Sequence, residues 1–487
     1  MKYLIIPFLF ALLFLSSCEK NLEDVNVNPN VPLDVTPDLL LPNVIRETVN
    51  QTMGENWSIG NIVVQHTAKI QFVNEDRYGW GVRDGMWNTF YSSLRDVNNI
   101  LLLSRDKGQK NYEAVGLILK SWMFAMLTDL YGNIPYSEAI KGKEENYFPV
   151  YDSQEAIYNG ILADLKTAND IIGTTNETVS GDILYGGKLA SWKKFANSLR
   201  LRYLMRISDR KDVGAEMKQI VENPAANPIF AGNADNAQLI YTKVFPNQFP
   251  LHTTRVGSFD EFRLSKHLGD TLLWLNDPRI KVFARPTAST ENLGEAQQVY
   301  AGIPNGLDDV NALTYGGGAQ FISRVGKVFF EDAITDIGIS VAKGNIMTFA
   351  ELQFTLAEAA QKGLISGNAQ SYYEEGIKAG FSLFATEMPA DYLSSPNVAF
   401  DNTKALEQIG LQKWIAFFFN GIEAWIDWRR TGIPTLKPGP ANLNSNKVPV
   451  RYVYPLSEQS LNEENRNKAV EAQGPDDLNT RVWWDVK

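Results

Sequence analysis

Apolar residues along this chain recur at helical spacing over two long stretches, and between them the period is lost. In the first, roughly 85–223, Val115, Ile118, Leu119, Trp122 and Met126 mark one face of a helix. Gly132 and Pro135 predict its end, because glycine accepts a positive-φ cap and proline cannot continue a helix. Asp152 or Ser153 caps the next helix, where Ile157, Ile161, Leu162, Leu165 and Ala168 hold the period to Gly173. A third stripe runs through Trp192, Phe195, Ala196, Leu199, Tyr203 and Ile207, with Lys193, Lys194, Arg200, Arg202 and Arg206 on the opposite face. In the second stretch, Phe349, Leu352, Leu356 and Ala360 mark a helix ending at Gly363, partnered by 369–388. Residues 403–430 are apolar nearly all round and predict one buried helix. On it Glu423 and Asp427 sit a turn apart, near Arg429 and Arg430, which reads better as a buried ion-pair network than as a catalytic pair.

These helix pairs repeat at a spacing of roughly 35–40 residues, near that of tetratricopeptide repeats, although the consensus residues of those repeats are not clearly present. From 224 to 342 the pattern breaks: Pro224, Pro228, Pro246, Pro250, Pro278, Pro286 and Pro304 punctuate it, and Gly316-Gly317-Gly318 lies near its end. This predicts long loops, short strands and one or two short helices such as 259–275; loops of that length in a compact protein usually carry function. From 431 the tail reads as irregular, with a strand-like segment at 448–454. The expected fold is therefore mainly α: helix pairs at near-tetratricopeptide spacing, with a long loop-rich insertion and few short strands. Residues 38–223 and 343–430 form its helical repeats.

The start of the chain is of another kind. Lys2 precedes an apolar run from Tyr3 to Leu15, followed by Ser16-Ser17-Cys18. The run fits the ~7–15 residues of an export signal and falls short of the ~20 that span a bilayer. Small residues followed by cysteine form the lipobox of bacterial lipoproteins. Residues 1–17 thus read as a signal peptide and Cys18 as the lipidation site, carrying palmitate or a similar acyl chain. Residues 18–37, acidic and rich in Asn and Pro, read as a solvated tether. Cys18 is the single cysteine of 487 residues, so neither an internal disulfide nor a cysteine-based metal site is possible. No other stretch reads as long and apolar enough to cross a membrane. Attachment then rests on the lipid alone. A net charge of −10 argues against nucleic acid as a partner.

Motifs for chemistry are lacking. His66, His252 and His267 are the only histidines, and none stands in a zinc-binding His-Glu-x-x-His pattern. There is no Gly-x-Ser-x-Gly elbow and no phosphate-binding loop. A glycoside hydrolase needs only two suitably placed carboxylates and stays as a minor alternative, beside a surface adhesion scaffold. Asp308, Asp309, Asn311, Asp332 and Asp336 could offer oxygen ligands to calcium, but lack the loop spacing of a calcium motif and read better as a solvated acidic loop. Carbohydrate binding suits the composition better: aromatic rings stack on the C–H faces of sugars while amides, carboxylates and guanidinium groups bind hydroxyls. The richest candidate is 71–81, with Asn74, Arg77, Tyr78 and Trp80 among turn residues; Trp57, Tyr300 and Tyr315 are further candidates. The expectation is a binder without cofactor or metal.

Several runs together resemble the SusD/RagB family of nutrient-binding outer-membrane lipoproteins. They are the lipobox with Leu22-Glu23-Asp24-Val25-Asn26-Val27-Asn28-Pro29-Asn30, and Leu127-Thr128-Asp129-Leu130-Tyr131-Gly132-Asn133-Ile134-Pro135-Tyr136. Tyr300-Ala301-Gly302-Ile303-Pro304-Asn305-Gly306 and the helix around Glu351 and Ala357-Glu358-Ala359 also match. So does Gly421-Ile422-Glu423-Ala424-Trp425 through Arg429-Arg430-Thr431-Gly432 and Pro434. The resemblance implies that the helix pairs stack into a tetratricopeptide-like helix-pair superhelix, right-handed, with a loop-rich ligand face. It also implies a TonB-dependent SusC-like transporter as partner, and an oligosaccharide, or in RagB-type members a peptide, as ligand. It transfers no individual ligand-contacting residue, since the family places its aromatics by topology.

Overall fold

The computed structural model describes residues 35–242, 245–251, 256–329 and 343–487. Cys18, the signal, nearly all of the tether, His252, Asp332 and Asp336 lie outside the described residues.

Helices dominate. α1 (Pro37–Glu55), α2 (Gly85–Asp106), α3 (Lys110–Tyr131), α4 (Gln154–Ile171) and α5 (Leu189–Ile207) pack each against the next, α1 on α2 and so on to α5. A shorter helix, α6 (Gly214–Glu222), follows, and α9 (Phe349–Gln361) with α10 (Ala369–Leu383) then continues the stack from α5. The predicted caps are present: the Ser153 hydroxyl accepts from the Ala156 amide at the head of α4, and Gly132 ends α3 at φ 86°. A Cβ at Gly132 would fall 1.8 Å from Gln473, whose side-chain oxygen accepts from the Asn133 amide, so the cap is also where the C-terminal region docks. α3 is apolar enough to meet a membrane-span criterion by length and composition, which the reading of the sequence did not foresee; 94% of that window is buried inside the protein.

Two features depart from expectation. Residues 403–430 form not one helix but two, α11 (Ala405–Ala416) and α12 (Gly421–Thr431), broken where Phe419 takes φ 67°. The break lets Phe418 stack on Phe283 and Phe419 on Phe329, at 4.1 and 4.3 Å between ring centroids, so tertiary packing overrides a continuous apolar run. On α5 the arginines opposite the apolar stripe turn inward as well: Arg200, Arg202 and Arg206 are buried. The tail has no strand at 448–454 and instead carries α13 (Leu456–Leu461) and α14 (Glu463–Gln473).

Buried arginines need carboxylates, because an unpaired charge in a dry interior is very costly. Arg206 bridges Asp129 of α3 and Glu423 of α12, and Arg202 holds Glu351 of α9 at 2.5 Å. Arg430 pairs with Glu358 at 2.5 Å and with Asp427 at 3.0 Å, and Asp427 also takes Lys413 at 2.9 Å. Burial pushes the Glu358 carboxyl up, but the Arg430 charge outweighs it and holds the group at about 2. The network expected around Glu423 and Asp427 is thus present, and it ties five helices together.

Six short strands occur among the described residues, two of them within the insertion. β1 (Thr67–Lys69) pairs antiparallel with β5 (Phe262–Leu264), β2 (Ile134–Pro135) with β3 (Tyr151–Asp152), and β4 (Ala237–Leu239) with β6 (Gly344–Met347). The helix expected over 259–275 is divided by β5; its second part is α7 (Lys266–Trp274).

Candidate functional site

The β1–β5 ribbon is the foundation of a loop-built face. Around it, Ile303 and Leu264 exchange backbone contacts with Lys266, Ser323 and each other: Lys266 N donates to Ile303 O at 2.8 Å, Ile303 N to Leu264 O at 3.0 Å, and Leu264 N to Ser323 O at 3.0 Å. Segments 67–70, 262–266, 301–303 and 322–325 are therefore held in one small sheet-like layer.

On that layer sits a second apolar core, separate from the main one. Ala68, Ile70, Val73, Ile303, Ala312 and Ile322 are buried together, with Leu307, Tyr315 and Ala319 half-buried against them. It fixes the loop 71–81 against the loop 303–322, which includes a short helix, α8 (Asp309–Thr314). The Val73 amide reaches the Asp309 carboxylate at 3.4 Å across the join.

A polar hub locks the same two loops from beneath. The Asn305 side-chain amide donates to Asp76 Oδ1 at 2.6 Å and to Thr67 O at 2.8 Å, while its carbonyl oxygen accepts from the Ser265 hydroxyl at 2.7 Å. The Lys69 amide donates to Asp76 Oδ2 at 3.2 Å. Burial pushes the Asp76 carboxyl up to about 7, against the pull of these donors and of the Lys69 charge. A third tie comes from the tail. Arg77 Nε donates to Ala441 O at 2.7 Å, and Gly306 meets Gly439 so closely that a Cβ on either would lie within 2.7 Å of the other backbone.

What this scaffold presents outward is apolar. Phe72 is 68% exposed although Val73 beside it is fully buried, and Phe72 itself holds a left-handed φ of 52°. Val310 and Leu313 of α8 are 73% and 51% exposed, and Phe321 is 45% exposed. Asn74, Asp309, Asn311 and Gln320 stand exposed among them. Water-facing rings and aliphatic groups on braced loops, interleaved with amides and carboxylates, have the character of a binding surface.

The residues singled out from sequence divide unevenly over this face. Asn74 is exposed on it, and Tyr315 lies half-buried against its small core. Arg77 is spent on the tail contact already described. The Tyr78 ring is 2% exposed, so it presents no stacking face; it packs edge-on to Trp80 at 6.0 Å. Trp80 is half-buried, wedged edge-on to Trp425 and Tyr452 at 5.7 and 5.8 Å, with its indole N–H donating to Glu75 O at 3.0 Å. Trp57 is 7% exposed and stacks on Phe259 at 4.6 Å, so burial removes it from the surface. Tyr300 packs half-buried on the main core near Lys281 and Glu295, apart from Tyr315. The outward groups Phe72, Val310, Leu313 and Phe321 were missed. Their signal was single large apolar residues set among Asn, Asp, Gly and Gln, outside any helical period. Asp308, offered as a calcium ligand, instead caps α8 by accepting from the Asn311 amide at 2.9 Å, and no group of three metal-binding side chains occurs among the described residues.

Residues 29–455 match the SusD-like family described as starch-binding and associating with the outer membrane. A SusD homolog from Bacteroides fragilis superposes with a TM-score of 0.79 at 27% identity, over 93% of this chain and 100% of its own. A chitin-binding SusD homolog from Flavobacterium johnsoniae gives 0.77 at 27% identity, over 93% and 98%. Another solved structure, a chitin-binding protein, gives 0.78 at 28% identity, over 93% and 100%. No curated protein matches the chain by sequence.

Proposed function

The chain belongs to the SusD-like family of starch-binding proteins that associate with the outer membrane, and on that premise we propose that it captures an oligosaccharide on the loop-built face. The observation that carries this reading is the second apolar core. It holds two loops rigid while leaving Phe72, Val310, Leu313 and Phe321 in water. A pyranose ring offers a flat C–H face to such groups and a rim of hydroxyls to the amides and carboxylates around them. Because the loops are already braced, little conformational entropy is lost when the sugar docks. The chain binds and releases its ligand without cleaving it.

Delivery completes the proposal. Cys18, lipidated after removal of residues 1–17, tethers the body to the outside of the outer membrane, and the captured glycan passes to a TonB-dependent SusC-type transporter. Chitin binding by two of the structural relatives supports a glycan ligand over a peptide. The test is a screen of the mature protein against arrayed oligosaccharides and peptides, followed by long incubation with each hit and analysis of the products. A glycan hit recovered intact is the expected result. Binding to peptides alone, or shortening of the glycan, contradicts it.

A further inference from the structure

Of the eleven tryptophans, only Trp274 lies openly in solvent, at 54% exposure. It is the last residue of α7, whose first turn is anchored beside the β1–β5 ribbon, where the Ser265 hydroxyl accepts from the His267 amide at 3.2 Å. At about 1.5 Å per residue, nine residues carry Trp274 some 13 Å from that end. The pocket beside it shares no residue with the small core that braces Phe72 and Phe321.

The pocket that Trp274 borders has a volume of ≈ 320 Å³ and is walled by Pro396, Asn397, Asp401, Lys404 and Glu407. The walls are built rather than incidental. Asn397 Nδ2 donates to the Trp274 carbonyl at 2.9 Å, fixing the backbone under the indole. Gln408 pins the opposite loop, accepting from the Asp401 amide and donating to Ala399 O, both at 2.8 Å. Tyr373 holds the middle of that loop through Val398 O at 2.8 Å. Asp401 accepts from the Thr403 amide and hydroxyl through Oδ1, and these bonds hold its carboxyl below the usual range. Its second oxygen, the Lys404 ammonium and the Glu407 carboxylate then remain to serve a ligand.

An indole left in water forgoes the burial of a large apolar face. Beside a preformed pocket rimmed by two carboxylates and an ammonium, that face meets the needs of one ligand class: a sugar ring, flat and apolar on one side and hydroxylated at its edge. We propose that Trp274 and the Asp401–Glu407 rim form a second oligosaccharide site, independent of the loop-built face. The proposal shares a ligand class with the proposed function and none of its residues.

Fluorine NMR of the mature protein labelled with 5-fluorotryptophan tests it, the Trp274 resonance being identified by its loss in Trp274→Phe. Maltohexaose and chitohexaose are the probes. The expected result is a saturable shift of the Trp274 resonance by one of them, retained when Phe72→Ala and Phe321→Ala disable the other face. Asp401→Ala should weaken that shift. Aromatic stacking losses measured for nucleobases, about 5- to 150-fold per ring, give the scale expected for the second-site affinity in Trp274→Ala, read by calorimetry. A Trp274 resonance that stays fixed at saturating sugar, while the loop-built face still binds, overturns the second site and leaves the first untouched. A shift that disappears with Phe72→Ala and Phe321→Ala overturns its independence.

Discussion

Asp76 shows how one residue governs the face. Its carboxyl is buried, receives Asn305 and the Lys69 amide, and is pushed up to about 7 by burial. In the unfolded chain the same group titrates at its ordinary value of 3.8. The folded state thus holds the proton more tightly, so this contribution is complete below pH 3.8 and is lost as pH rises through about 7. Hydrogen exchange of the amides in 71–81 should accordingly quicken as pH rises from 3.8 to about 7 and level off above it, beyond the intrinsic pH dependence of exchange, and Asp76→Asn should abolish the excess. An unchanged profile in the variant would remove Asp76 from the hub. Sequence reasoning did not reach this residue, because nothing in Asn74-Glu75-Asp76-Arg77 distinguishes a buried carboxylate from exposed ones. It was Asn305, 229 positions away, that made the difference.

At the level of elements, legibility followed locality. The boundaries of α3, α4 and α9 were readable because each cap lies in the same few residues as the helix it ends: Gly132, Ser153, Gly363. The division between α11 and α12 was not, since it is imposed by Phe283 and Phe329 from distant segments. The pairing of Glu423 was legible in kind, as a carboxylate on a helix too apolar to face water, while its partners Arg206 and Arg202 on α5, more than two hundred residues away, were not. Breaking a buried pair leaves an uncompensated charge. Glu423→Ala should therefore cost about 3–5 kcal/mol in chemical denaturation, and Glu423→Gln, which keeps an acceptor for Arg206, should lose less. A loss below 1 kcal/mol (about the ceiling for an exposed pair) would mean that the network is open to water.

For the whole molecule, the helical stack serves as the frame on which the loop-built face is held. Cys18→Ala should move the protein from the detergent phase to the aqueous phase in extraction, or leave it as the uncleaved precursor; partition of the wild type into the aqueous phase contradicts the anchor. The helix pairs were visible in the spacing, yet the face was not, because its two loops lie more than two hundred residues apart and meet through contacts such as Val73 with Asp309 and Asp76 with Asn305. The central claim is that this face holds a glycan. It is tested most directly by calorimetric titration of the mature protein with the glycan that emerges from the array, beside Phe72→Ala and Phe321→Ala. Both side chains are largely in water, so both variants should keep the melting temperature of the wild type while each weakens binding at the face by about 5- to 150-fold, by analogy with stacked bases. Full affinity in both variants, at unchanged melting temperature, would contradict the account.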